Sequence, residues 1–226
     1  MLAAVLALAT LLSAAAPAPP AALGGDARPA APRAAELVDS TAAVPRAQAL
    51  ELSIDPAGDH WVGSLRAQLD VRRPTRYLLL RRHGTELHRV ELGTPAGAMP
   101  VTFGVLPGDS LLIEARAPLP PGRAGLAILF GGTYARATGA ARGLVRQGRA
   151  IELRQAFGGA LPAWCGAPAT PWELLVHVPA GCRVRASLPL RGVSRQGAWR
   201  TWSFGTPRAL PADSLRVRVL AGGGPR

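Results

Sequence analysis

From residue 61 to residue 71 apolar and polar side chains trade places almost without a break. Trp61, Gly63, Leu65, Ala67, Leu69 and Val71 fall on one side, and Val62, Ser64, Arg66, Gln68 and Asp70 on the other. An extended chain turns successive side chains to opposite faces, so a strand with one buried face satisfies this order. A helix would scatter the same apolar residues around its axis. Residues 47–54 alternate in the same way, and the intervening Asp55-Pro56-Ala57-Gly58-Asp59 has the chemistry of a turn.

Further segments extend the pattern. Tyr77-Leu78-Leu79-Leu80 is a continuous apolar run, which predicts a strand covered on both faces. Residues 86–92, 101–105, 110–116 and 124–132 follow at the spacing of an antiparallel sandwich, with Leu126, Ile128 and Phe130 alternating in the last of them. Residues 118–122 form a tight Pro-rich connection. Residues 172–178, 199–204 and 214–220 read as later strands, the last with Leu215, Val217 and Val219 on one side and Arg216 and Arg218 on the other. With 26 Gly and 22 Pro in 226 residues and no long amphipathic helix, the chain reads as all-β. The expected architecture is one antiparallel β-sandwich of about twelve strands, in a length that holds a single well-buried domain.

The formal charge is +12, and every basic residue is arginine. The arginines are scattered as Arg72-Arg73, Arg81-Arg82, Arg183/Arg185 and Arg216/Arg218, the polar side of alternating strands. Nucleic-acid binding would call for a continuous basic stripe with interleaved aromatics, so no nucleic-acid partner is expected. Residues 1–23 read as a signal peptide, although no basic residue follows Met1, and their apolar run is short for a membrane span. Residues 24–45, rich in Ala and Pro, read as a disordered linker, residues 46–221 as the β domain and residues 222–226 as a tail. An exported, periplasmic or secreted protein without a transmembrane span in its mature form is therefore expected. Cys165 and Cys182 permit one disulfide in such a compartment, or stand as two free thiols.

Residues 143–181 carry an order of landmarks that is more specific. Gly143-Leu144-Val145-Arg146 leads through a strand-like segment to Arg154-Gln155, then to Leu161-Pro162-Ala163-Trp164, a strand, and Pro179-Ala180-Gly181. Upstream lie an opening strand of the form Leu-x-Ile-Asp-Pro-Ala, a strand of the form Trp-x-Gly-x-Leu-x-x-x-Leu-Asp, and Pro-Thr-x-Tyr-Leu-Leu-Leu. Downstream, Trp199 to Phe204 is followed by Thr206-Pro207. In joint order and spacing this resembles the N-terminal β domain of the aminopeptidase N-type zinc metallopeptidases. The resemblance implies a saddle-like β domain, a turn at Thr206-Pro207, and in Gln155 the match to a Gln that helps hold a substrate's free amino end. Gln155 reads equally well as a polar residue ending a strand.

The enzymes of that family hold zinc with His-Glu-x-x-His, which sets two imidazoles one helical turn apart around an activating Glu. Of His60, His83, His88 and His177 none precedes Glu and no pair has that spacing. The family's Cys-Trp-Asp-Glu-Pro loop becomes Ala163-Trp164-Cys165-Gly166-Ala167-Pro168, without its acidic residues. Gly97-Ala98-Met99 echoes a substrate-anchoring strand out of context, and Asp55 with Asp59 reads as a turn rather than a calcium site. No Gly-x-Ser-x-Gly elbow, phosphate loop or dinucleotide fingerprint is present. No catalytic residue, metal ligand or cofactor is thus expected on this chain, zinc entering only with a separate catalytic domain. The expected role is a non-catalytic binding or accessory module, with a catalytic metallopeptidase domain or another envelope protein as partner. Two alternatives stand beside it: a split fragment of a zinc aminopeptidase, and an Arg-rich binder of anionic polymers.

Overall fold

The computed structural model describes residues 39–82, 85–136, 143–154, 162–164 and 169–222. In chain order the strands are β1 (Ala43–Ile54), β2 (His60–Val71), β3 (Thr75–Arg81), β4 (Glu86–Thr94), β5 (Gly97–Met99), β6 (Val101–Leu106), β7 (Ser110–Leu119), β8 (Gly122–Thr133) and β9 (Ala135–Arg136). They continue as β10 (Gly143–Gln147), β11 (Ala150–Arg154), β12 (Ala163–Trp164), β13 (Thr170–Pro179), β14 (Arg183–Ala186), β15 (Leu190–Gln196), β16 (Trp199–Leu210) and β17 (Val217–Leu220). One 3-10 turn, Ala212–Ser214, is the only helical element among the described residues.

The strands form three sheets. The largest has the order β15-β16-β13-β1-β2-β8-β4-β5, a second runs β14-β17-β11-β10-β9, and a third runs β12-β3-β7-β6. One hydrophobic cluster joins all three, from Leu50, Leu52, Trp61 and Leu65 of the large sheet to Leu80 and Ile113 of the third and Ile151 and Val219 of the second. The two small sheets therefore cover the same face of the large one, and its other face stays open. Each fully covered Leu or Ile contributes ~1.5–3 kcal/mol relative to an exposed one, which is what holds the layers together.

The alternation of β2 is realised in full: Trp61, Gly63, Leu65, Ala67, Leu69 and Val71 are buried and their neighbours are not. Trp61 packs edge-on against Phe130, with ring centroids 5.8 Å apart, in a T-shaped arrangement that adds to the area it buries.

Several expectations need correction. The first strand starts at Ala43, inside the stretch assigned to the linker, and Ala43, Val44 and Pro45 are buried. A proline fits there because the β1–β2 register shifts between Pro45 and Ala47, at a bulge where the ladder does not need its missing N–H. Tyr77 and Leu79 are only half-buried while Leu78 and Leu80 are buried, so β3 is covered on one face and not on both. Thr206-Pro207 is not a turn but the middle of β16, where the pairing with β13 jumps from Thr206–Trp172 to Leu210–Thr170 and leaves the proline outside the ladder. The last strand begins at Val217, after the 3-10 turn and Leu215-Arg216. The landmark Ala163-Trp164 is a short strand on β3 rather than loop. Among the described residues there are seventeen strands where about twelve were expected, because two- to four-residue pieces such as β5, β9, β12 and β14 are too short to show alternation. The pairing is antiparallel except for β1–β13 and β9–β10, which are parallel.

Candidate functional site

The open face of the large sheet brings together residues far apart in sequence. In register across the strands lie Thr201, His177, Ser53, Val62 and Gly131, and in the next row Ser203, Leu175, Glu51, Ser64 and Leu129. His177 Nδ1 lies 2.8 Å from Thr201 Oγ1, and its Nε2 lies 2.9 Å from Glu51 Oε1. Arg66 approaches the other Glu51 oxygen at 3.5 Å, as does the Ser64 hydroxyl. The hydrogen bond with His177 is the main force holding the Glu51 carboxyl below its ordinary value. Burial opposes it, and the charges of His177 and Arg66 reinforce it.

Hydroxyl, imidazole and carboxylate stand in the order of a hydrolytic triad, yet the setting does not support that chemistry. These residues sit in the middle of strands whose backbone amides are committed to the ladder, so none is free to form an oxyanion hole beside Thr201. The cluster instead ties β16, β13, β1 and β2 together, and ion pairs so exposed contribute about 0–1 kcal/mol.

A second cluster closes one end of the sheet. The β1–β2 turn is capped by Asp55, whose Oδ1 accepts from Ala57 N at 2.9 Å. The Tyr134 hydroxyl donates to the Asp55 carbonyl at 3.2 Å, and the Arg146 guanidinium lies 4.9 Å from the Tyr134 ring centroid while donating to the Gly58 carbonyl. Burial raises the Tyr134 phenol to about 12, with Arg146 pulling the other way. The landmark Arg146 is thus a structural clamp on the turn.

Gln155 and Cys165 lie outside the described residues, as does His83. Cys182 is a buried free thiol, raised above its ordinary value by burial. His60 is exposed at the start of β2, and His88 is exposed on β4. His177 has both ring nitrogens engaged, and among the described residues no group of three His, Cys, Asp or Glu side chains could hold a metal. These residues do not fit zinc, which wants three or four convergent donors.

One feature escaped the sequence reading. Strand β15, Leu190 to Gln196, is hairpin-paired to β16 and forms one edge of the large sheet. Its signal was the two-residue turn Gly197-Ala198 between Gln196 and Trp199, where Gly197 has φ +60°. Arg191 reaches from this edge across Gly205 to Glu173 at 3.2 Å. A Cβ at residue 205 would come within 2.6 Å of the guanidinium carbon, so a larger residue there would make the flexible end of Arg191 shift.

By sequence, no family model and no curated protein matches the chain. By structure, it is similar to an M1 zinc metallopeptidase from Deinococcus radiodurans, with a TM-score of 0.65 at 18% identity over 79% of this chain and 42% of that chain. A variant of that enzyme bound to a Tyr-Ser-Ala substrate matches with a TM-score of 0.64 at 18% identity, over 80% and 43%. A two-domain M1 zinc metallopeptidase variant bound to L-tryptophan matches with a TM-score of 0.65 at 18% identity, over 80% and 43%. This chain therefore spans under half the length of the structures it matches. Its fold is that of the N-terminal β region of M1 zinc metallopeptidases.

Proposed function

We propose that this chain is a non-catalytic binding or accessory module that acts outside the cytoplasm, built on a fold otherwise found at the front of zinc metallopeptidases. The observation that carries this reading is a pairing of facts. The fold matches over 79% of this chain but only 42% of the enzyme, and the 226-residue sequence contains no His-Glu-x-x-His. The open sheet face supports it, because its one triad-like arrangement lacks an oxyanion hole and serves to hold strands together. The purified chain is expected to bind no stoichiometric zinc and to leave aminoacyl arylamides uncleaved. Metal analysis and a release assay check this, and either activity on the chain alone would refute the reading. The apolar run at residues 1–23 supports export, which N-terminal sequencing of the mature protein tests.

A second reading rests on the same coverage. The larger part of the enzyme has no counterpart here, as it would not if the chain were one half of a split metallopeptidase. A neighbouring reading frame that encodes His-Glu-x-x-His, and whose product gains peptidase activity on mixing with this chain, would favour it.

A further inference from the structure

We propose that the outer edge of β15 binds an extended acidic segment of a partner protein, which joins the large sheet as one further strand. This rests on the reading of the chain as a binding module and names where and what it binds. Three observations converge on this edge.

The first is an unpaired ladder. Among the described residues β15 pairs with β16 on one side and with no strand on the other, and none of its residues is buried. Alternate backbone N–H and C=O groups of such a strand face outward, ready to pair with an added chain.

The second is an apolar shelf. Leu190 pairs with Phe204 and Val193 with Trp202, so these four share the face that the small sheets cover further in. Phe204 is 4% exposed and stacks with Trp202, whereas Leu190 and Val193 are 54% and 46% exposed. The cover ends before the sheet does, and the shelf that is left is apolar.

The third is a pair of cations with no counterion. Arg195 lies directly opposite Arg200, which puts both on the face of Val193 and Trp202. Like charges in directly opposed positions destabilise a sheet. Among the described residues neither guanidinium makes an ion pair, and Arg195 donates only its Nε–H, to the Gly197 carbonyl at 3.1 Å. A carboxylate arriving between them relieves the repulsion and gains two charge-assisted partners.

Register then sets the pattern of the guest. Side chains on one face of a strand recur every second residue, so a carboxylate opposite Arg195 sits two residues from an apolar side chain opposite Val193, with a second apolar residue toward Leu190. The other face of β15 presents Ser194 and Gln196 and asks only for small polar residues. The occupant is thus an acidic-x-apolar-x-apolar segment. The overall charge of +12 favours its approach.

The test uses the full chain and a labelled peptide, Glu-Thr-Val-Thr-Val-Thr-Glu, whose symmetry makes it indifferent to strand direction. Fluorescence anisotropy is expected to show saturable binding that weakens with added salt. Hydrogen exchange should slow at β15 amides when the peptide binds. Combined Arg195→Glu and Arg200→Glu, and separately Val193→Asp, should each weaken binding about tenfold or more. Val193 and Arg195 are exposed and Arg200 is half-buried, so an unchanged melting temperature is the check that these variants fold. Equal binding of the peptide with Gln for Glu, undiminished binding to the charge-reversed variant, protection elsewhere than β15, or no binding would overturn the proposal. So would self-association through β15, which would make a second copy the occupant. Zinc binding or arylamide cleavage by the chain would refute the non-catalytic reading and leave this one standing. Loss of peptide binding alone would do the reverse.

Discussion

Gln48 and Thr170 are the pair on which the central crossing of the large sheet can be tested. Gln48 lies on β1 and Thr170 at the start of β13, and they are 5% and 2% exposed. The Gln48 amide donates to the Thr170 hydroxyl at 2.9 Å. In water the bond would be nearly neutral, but a buried polar group that loses its partner has no solvent to turn to. Gln48→Leu strands the Thr170 hydroxyl and Thr170→Val strands the Gln48 amide, each at ~1–3 kcal/mol. If the two acted independently, the double variant would lose ~2–6 kcal/mol, the sum of these costs. Replacing both partners instead leaves two apolar side chains of similar shape in contact, and the loss should fall to about 1 kcal/mol or less. Urea unfolding followed by tryptophan fluorescence, with five Trp to report, gives the three free energies. Double-variant destabilisation within ~0.5 kcal/mol of the sum would refute the coupling.

Four further outcomes are expected. The Tyr134 phenol, raised from 10.0 to about 12, favours its neutral form. The stability tied to it is complete below pH 10.0 and is lost as pH rises through about 12. Ultraviolet titration should therefore show one late phenolate step, absent in Tyr134→Phe. The lowered Glu51 carboxyl has the opposite sign: its contribution is present above its ordinary value of 4.5 and fades as pH falls through the depressed one. Carboxyl NMR should show Glu51 moving back toward that value in His177→Ala. The buried Cys182 thiol should react slowly with Ellman's reagent in the native protein and quickly in urea; the absence of reactive thiol in urea would mean that Cys165 and Cys182 are joined. Gly222→Ala would put a methyl 2.0 Å from the Gly181 carbonyl oxygen, whereas Gly181→Ala meets nothing within 4 Å. Thermal melting should show the first destabilised by ~1–3 kcal/mol and the second close to neutral at the contact.

What could be read from the sequence followed from local physics. The faces of β2, β8 and β17 were legible because each has one covered side, which writes a period of two into the chain. Prolines misled twice, at Pro45 and Pro207, since composition marks a breaker but does not show that a bulge has made room for it. The run at residues 77–80 looked doubly covered because hydrophobicity does not reveal where a small sheet ends. The His177–Glu51 pair could not be read at all: 126 residues separate its members, and only the parallel pairing of β1 with β13 makes them neighbours. The cationic pair at β15 was hidden for a more local reason, the missed two-residue turn that puts Arg195 opposite Arg200.

That parallel pairing also bears on the order in which the molecule comes together. β1 meets β2 across a short turn, but its other edge waits for β13, with Gln48 and Thr170 separated by 122 residues. Closing so long a loop costs entropy before any contact returns it, so the middle of the large sheet is expected to be a late event in folding. Until it happens, a nascent chain carries an open strand through its own centre, the place where chaperone capture or mispairing would begin. The β15 edge remains open after folding is complete. The β1 edge is open only while folding is under way, and the two vulnerabilities belong to different stages in the life of the same sheet.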